Sequence, residues 1–214
     1  MNLTKLIILL ITPILLTLII PGKGFSRYGP NPPPPKVYEP PAGRLIAIAH
    51  GNDDKSKNLN KYIKEQTITA NLKHYDAIIL IFKAIKSAEI DQVREANDML
   101  NESARLLSEA ETSFNQMSEL IDPKWKIVLS DDALKMVQSD LNKYGINTVP
   151  QSSKGWFILT AKEIGLLRAV VKNAKFGTHR QGVDSYKSIT SGLTRLFDVC
   201  SAISEVNLVG TISK

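Results

Sequence analysis

The chain has 214 residues, of which 43% are hydrophobic and 22% are charged, with a net charge of +6. This length suits one domain of roughly 150 residues with appendages, and the single cysteine, Cys200, excludes a disulfide within the chain. A basic chain fits a nucleic acid, an anionic membrane surface or an acidic partner, so the distribution of its charges has to decide between them.

The N-terminal residues are apolar. Residues 6–20 follow Lys5 and are interrupted by Pro13, and Pro21 ends the run. A membrane-spanning helix needs about 20 apolar residues, whereas the apolar part of a signal peptide has about 7 to 15. The sequence predicts that residues 1–24 are a signal peptide or a retained membrane anchor, with a buried core helix as the remaining alternative. An exported chain, periplasmic or extracellular, or one anchored by residues 6–20, argues against a nucleic-acid partner.

Residues 25–43 are predicted to be a proline-rich linker. They contain seven of the eleven prolines, and proline lacks the N–H that a helix requires. A polyproline II segment rises about 3.1 Å per residue, so the stretch from Pro30 to Gly43 reaches roughly 40 Å. We interpret it as a semi-rigid spacer or as a mature N-terminal tail. The alternative is a docking peptide for an aromatic groove.

A long helical segment is predicted next, because no glycine or proline stands between Gly51 and Pro123. Its second half has a coiled-coil seam, with apolar or small residues alternately three and four positions apart. We expect the first half to form the partner seam, with a reversal at Ser87–Glu89; one continuous rod is the alternative. The seam of the second half is Val93, Ala96, Leu100, Ser103, Leu107, Ala110, Phe114, Met117 and Ile121. The expected partner seam is Ile68, Leu72, Tyr75, Ile79 and Phe82, with Ala70, Ala77 and Ala84 beside it.

Charge supports the hairpin. Residues 55–88 carry seven lysines and two acidic residues, whereas residues 89–122 carry nine acidic residues and two arginines. Opposite charge selects the partner and the orientation more than it stabilises the pair. Residues 153–195 carry eight lysines or arginines and two acidic residues. We expect them to complement the acidic helix within the fold, and an anionic lipid surface is the alternative.

The C-terminal half is predicted to contain shorter helices. One ends at Gly145, a second opens with a capping box at Thr160–Glu163, and a third runs from Tyr186 to Ile203. We therefore predict a mainly α fold, in which a helical hairpin at residues 44–122 packs with the C-terminal helices at 123–214 as a bundle. Short apolar runs at 44–49, 125–129 and 156–159 leave room for a minor sheet, and an α/β fold is the alternative.

Catalytic, metal and cofactor signatures are not found in the sequence. No serine stands in G-x-S-x-G, no glycine-rich phosphate loop follows an apolar run, and Cys200 lies on an apolar helical stripe. We predict no catalytic residues, no metal and no cofactor. The candidate ligand-binding residues are aromatic or basic side chains that would line a pocket between helices. They are Trp125, Trp156, Arg168, His179 and Arg180.

These features predict a non-enzymatic protein of the cell envelope, exported or tethered to the membrane, with a protein-interaction or structural role. An envelope protein is the expected partner, with an anionic membrane surface as a further one. The alternative is a small-molecule sensor or binding domain that uses the pocket between helices. An enzyme is the third hypothesis, and no reaction can be named for it.

Overall fold

The computed structural model describes residues 25–26, 28–30, 54–124, 126–209 and 211–213. The predicted leader, most of the proline-rich stretch, the apolar run at 44–49 and Trp125 lie outside the described residues. The described part is mainly α, which confirms the predicted fold class. Among its helices, none combines the length and the apolar character that crossing a bilayer requires.

The described residues contain five helices and four very short strands. Strand β1 pairs with β2, and β3 pairs with β4, both antiparallel. In chain order the elements are β1 (Phe25–Ser26), β2 (Gly29–Pro30), α1 (Asp54–Glu89), α2 (Val93–Leu120), β3 (Lys126–Val128), α3 (Asp131–Asn142), α4 (Ser153–Asn173), α5 (His179–Val209) and β4 (Thr211–Ser213).

Helices α1 and α2 form the predicted hairpin. The chain reverses within Ile90–Gln92, where Asp91 adopts a φ of 61° and the backbone N–H of Gln92 donates to the Ser87 carbonyl at 2.9 Å. The predicted α2 seam is confirmed, because all its members from Ala96 to Ile121 are buried and Val93 is partly buried. The seven-residue repeat of α2 therefore points to its neighbours in the bundle.

The predicted partner seam of α1 is wrong for its large residues. Ile68 and Leu72 are 43% and 55% exposed, on a different face from the one that meets α2. Small residues allow the close approach, since the Ser103 hydroxyl donates to the Ala77 carbonyl at 3.0 Å. The buried face of α1 is instead lined by smaller and polar residues: Ile63, Thr67, Ala70, His74, Ala77, Ile81, Ala84 and Ala88, flanked by Asn71, Ile78 and Ile85.

Residues 156–159 are helical, so the strand proposed for them is wrong. Helix α4 begins at Ser153, seven residues before the predicted capping box, because the Ser152 hydroxyl caps it by accepting from the Gly155 N–H at 3.2 Å. Trp156 and Phe157 are buried. Of the predicted strands, the run at 125–129 contains β3.

Helix α3 and the turn after it follow the prediction. The Ser130 hydroxyl accepts from the Ala133 N–H at 3.4 Å at the start of the helix. Gly145 follows the end of the helix with a φ of 71°, in the left-handed region that glycine adopts without steric cost. The last helix, α5, begins at His179, seven residues before the predicted Tyr186.

Helix α2 is central to the packing of the bundle. It packs along both α1 and α4, while α5 packs on α4 and on α3. The main hydrophobic core lies between α1, α2, α4 and α5. A second, smaller core forms where α3 and β3 cover the ends of α4 and α5. Its buried members are Ile127, Val137, Leu141, Val149, Trp156, Leu159, Val199, Ala202, Ile203 and Val206.

Candidate functional site

A group of charged and polar side chains joins α3, α4 and α5 beside the second core. Glu163 is 1% exposed and receives two hydrogen bonds from Arg195, Nε to Oε2 at 2.5 Å and Nη2 to Oε1 at 2.8 Å. Arg195 also donates to the Tyr144 carbonyl at 3.2 Å and lies over the Tyr144 ring, 5.4 Å from its centroid. The Tyr144 hydroxyl donates to Asp198. We call these four residues the Glu163 network.

Local structure explains why these groups meet. Glu163 lies on the buried face of α4, between Thr160 and Ile164, so its carboxylate cannot reach water. A buried carboxylate is tolerated only with a charged partner and hydrogen bonds for both oxygens. Arg195 supplies both from α5, one turn before Asp198. Tyr144 follows the end of α3, so the network connects three helices.

The pKa values of three groups in and beside this network are raised, so each group keeps its proton. The Glu163 carboxylate raises the pKa of Arg195 by hydrogen bonding. Burial, and then the hydrogen bond to Asp198, raises the pKa of Tyr144 to about 12. Burial, together with the nearby Glu163 charge, raises the pKa of Cys200 to about 12. The phenol and the thiol therefore stay protonated at neutral pH, and the thiol is a core group as predicted.

Two further ion pairs cross between helices. Lys73 of α1 reaches Glu109 of α2 at 2.6 Å, and Arg168 of α4 reaches Glu111 of α2 at 2.7 Å. The second pair joins the basic C-terminal half to the acidic helix, as expected from the charges. Gly165 gives it room, because a Cβ there would lie 2.6 Å from the Glu111 Oε1. Together with the Glu163 network, these pairs link α1 to α2, α2 to α4, α4 to α5, and α5 to the turn after α3.

The structure does not bring the candidate ligand-binding residues together. Trp156 is 1% exposed within the second core, and Arg168 is paired with Glu111 about three turns further along α4. His179 and Arg180 are exposed at the start of α5. Trp125 lies outside the described residues. Ligand binding by this set stays a prediction.

A shallow groove of about 550 Å³ lies at α3 and the loop that follows it. Its lining is rich in amides, which can donate and accept hydrogen bonds. Several Asn and Gln residues around the loop were the sequence signal for this groove, and the prediction of ligand-binding residues did not include them. The lining residues are Leu134, Lys135, Gln138, Ser139, Asn142, Asn147, Thr148, Val149 and Gln151.

A second feature missed from the sequence is the burial of Tyr28. Tyr28 is only 8% exposed, although it belongs to the predicted linker, and its hydroxyl donates to the Ala88 carbonyl at 3.0 Å. Its ring centroid lies 5.5 Å from Phe176, 6.2 Å from His179 and 6.4 Å from Tyr186. We call this the Tyr28 docking site. The available sequence signal was an aromatic residue directly before Gly29 and Pro30.

Gly182 is the most direct probe of the Tyr28 docking site. A Cβ at Gly182 would lie 2.5 Å from the Tyr28 Cε1, and its three nearest atoms all belong to the Tyr28 ring. Alanine inside a helix is normally about 1 kcal/mol more stable than glycine. Here we expect Gly182→Ala to displace the ring and to lower the free energy of unfolding by about 1–3 kcal/mol, through lost burial and a lost hydrogen bond.

A Tyr28→Ala background is the matched control for that experiment. Without the ring, Gly182→Ala should raise the free energy of unfolding by about 1 kcal/mol, because only helix propensity remains. Urea denaturation of the four proteins measures both changes. A substitution with the same sign in both backgrounds would show that Tyr28 does not dock on Gly182.

Within the described ranges, no group of three His, Cys, Asp or Glu side chains is placed to hold a metal ion. Comparison of the chain with protein-family models, with curated proteins and with solved structures finds no significant match in any of the three.

Proposed function

We propose that the protein is a non-enzymatic helical protein of the cell envelope, exported or tethered to the membrane, with a protein-interaction or structural role. The Tyr28 docking site is the observation that carries this proposal. It ties the residues directly behind the apolar leader to the hairpin turn and to α5. The ion pairs between helices support a structural role, because these charged groups contact each other and hold helices together.

The docking site sets a short distance between the leader and the bundle. Only residues 21–27 separate Ile20 from Tyr28, which is at most about 29 Å of extended chain. If the leader stays in the membrane, the hairpin-turn end of the bundle lies next to the bilayer. The exposed Arg180 lies beside the docking site, where an anionic headgroup is a fitting partner. Most of the proline-rich stretch follows Tyr28 in the sequence, so in this arrangement residues 21–27 set the distance between membrane and bundle.

Depth measurements in a bilayer test this arrangement. A fluorophore is attached to Ile90→Cys at the hairpin turn or to Leu120→Cys at the other end of α2, about 40 Å away. Both side chains are exposed, and Cys200 is buried and does not label. In vesicles with nitroxide lipids, we expect strong quenching of the first label and weak quenching of the second. Equal quenching, or a chain that does not associate with the vesicles, would contradict the tether.

Cross-linking in intact envelope membranes tests the interaction role. The full chain with a C-terminal tag should recover one protein partner in a stoichiometric amount. A chain that stays monomeric and without a partner under mild extraction would count against it.

The α3 groove favours the second candidate function, small-molecule binding. Its volume suits a small ligand, and its amides suit a polar one. A thermal-shift screen with metabolites and metal salts distinguishes the two candidates. A ligand of the groove raises Tm by mass action, and Gln138→Ala should abolish that shift.

A further inference from the structure

An apolar face of α1 points away from α2. Ile68, Leu72, Tyr75, Ile79 and Phe82 are alternately four and three residues apart and form one stripe about 21 Å long. We call it the outer stripe. Ile68 and Leu72 are 43% and 55% exposed, and the other three are partly buried. A contiguous apolar face of this kind marks a docking surface.

Tyr28 and the first residue of α1 lie at opposite ends of that helix. Tyr28 is held at Ala88 by its hydrogen bond, and Asp54 begins α1. The rise of 34 helical residues separates the two points by about 51 Å. Residues 31–53 join these two points in the sequence.

We propose that residues 31–41, NPPPPKVYEPP, dock along the outer stripe and run antiparallel to α1. The lengths agree. Phe82 lies about 9 Å from Ala88 along the helix and Ile68 about 30 Å from it, while a polyproline II segment from Pro30 to Pro41 reaches about 34 Å. The proline-rich segment thus spans the whole stripe. The docking does not depend on the proposed envelope function, because it is the same whether the leader is retained or removed.

The chemistry of the stripe fits this occupant. Polyproline II segments dock in apolar grooves lined by aromatic rings, and they are extended before binding, which lowers the entropic cost. Tyr75 and Phe82 supply the rings; both are partly exposed, and Phe82 also packs against the main core. Beyond Ile68 the same face carries Lys61 and Lys64, which suits the single acidic residue of the segment, Glu39.

A second copy of the chain fits the stripe less well. The stripe has lysines at both ends, Lys61 and Lys64 before it and Lys86 after it. Two stripes facing each other would place lysine against lysine in a parallel or an antiparallel pair. Like charges brought together in an interface oppose its formation.

Disulfide trapping in the full chain tests the proposal. In polyproline II geometry Val37 lies about 22 Å from Pro30, at the level of Leu72 on the helix. We expect Val37→Cys/Leu72→Cys to form a disulfide within one chain at least about tenfold faster than Val37→Cys/Thr112→Cys, because docking raises the effective concentration. Thr112 is the control, exposed on α2 at a similar level. The native thiol, Cys200, is buried.

Equal rates in the two variants would overturn the proposal, and so would disulfides that form only between chains, which would identify a second copy as the occupant. A second measurement needs no new cysteine. Trypsin cleavage after Lys36 should be at least about tenfold faster in Ile68→Glu/Leu72→Glu than in the unmodified chain, because a docked segment is protected. Both residues are exposed, so the helical circular dichroism should not change. Unchanged cleavage would also overturn the proposal.

Discussion

Arg195→Met is expected to lower the free energy of unfolding by about 3–5 kcal/mol, because it leaves the buried Glu163 carboxylate without a charged partner. Glu163 is 1% exposed, and both its oxygens accept hydrogen bonds from Arg195. Methionine keeps an unbranched apolar stem in the same space, so the change isolates the guanidinium group. Urea denaturation followed by circular dichroism measures the loss.

The double variant Glu163→Leu/Arg195→Met is the control for this prediction. Replacing both members of a buried ion pair with apolar residues removes the uncompensated charge, and such changes are often neutral. We expect the double variant to recover most of the stability lost in Arg195→Met. If it is no more stable than the single variant, the loss comes from packing and not from the unpaired carboxylate.

Acid is expected to destabilise the protein through His74. His74 is completely buried in the α1 face that meets α2, and burial lowers its pKa from 6.5 to about 3. Between these two values the unfolded chain binds a proton that the folded chain does not. Stability therefore falls as the pH drops below about 6.5, by about 1.4 kcal/mol per pH unit and by about 3 kcal/mol at pH 4.5.

Urea denaturation at pH 7.0, 6.0, 5.0 and 4.5 measures this slope. Carboxylates also change the free energy of unfolding in this pH range. The unmodified chain is therefore compared with His74→Met, which should lose less stability on acidification. His179→Gln is the matched control, because His179 is exposed, and it should keep the slope of the unmodified chain. Equal slopes in all three proteins would contradict a buried neutral histidine.

The hairpin was predictable because its second helix repeats every seven residues with small and large residues in regular order. For α1 the same rule failed. It has two stripes with 4-3 spacing, one of large apolar residues and one of Ala, Thr and His, and hydrophobicity alone favours the first. The structure uses the second, because Ala77 and Ser103 allow the helices to approach closely.

Helix α4 shows a different limit. A short run such as WFILT is equally typical of a buried strand and of a buried helix. The Ser152 cap decides the outcome, and it stands before the run and not at the predicted Thr160. In the helix, Trp156 is buried in the second core and Phe157 in the main core.

The candidate site was less predictable than the fold. Glu163 and Arg195 are 32 residues apart on different helices, so no local spacing connects them. The available signal was a charged residue within each apolar helical stripe, Glu163 before Ile164 and Arg195 between Leu193 and Leu196. Such a residue needs a partner from elsewhere in the fold, but the sequence does not say which one.

The Tyr28 docking site also has a consequence for biogenesis. Its walls come from Ala88, Phe176 and Tyr186, so a nascent chain cannot complete it until the first two turns of α5 have been synthesised. Contacts so far apart in sequence form late. If the chain is exported, as proposed, a processing peptidase would meet Tyr28 undocked during translocation, and the site would form only when the start of the last described helix has folded.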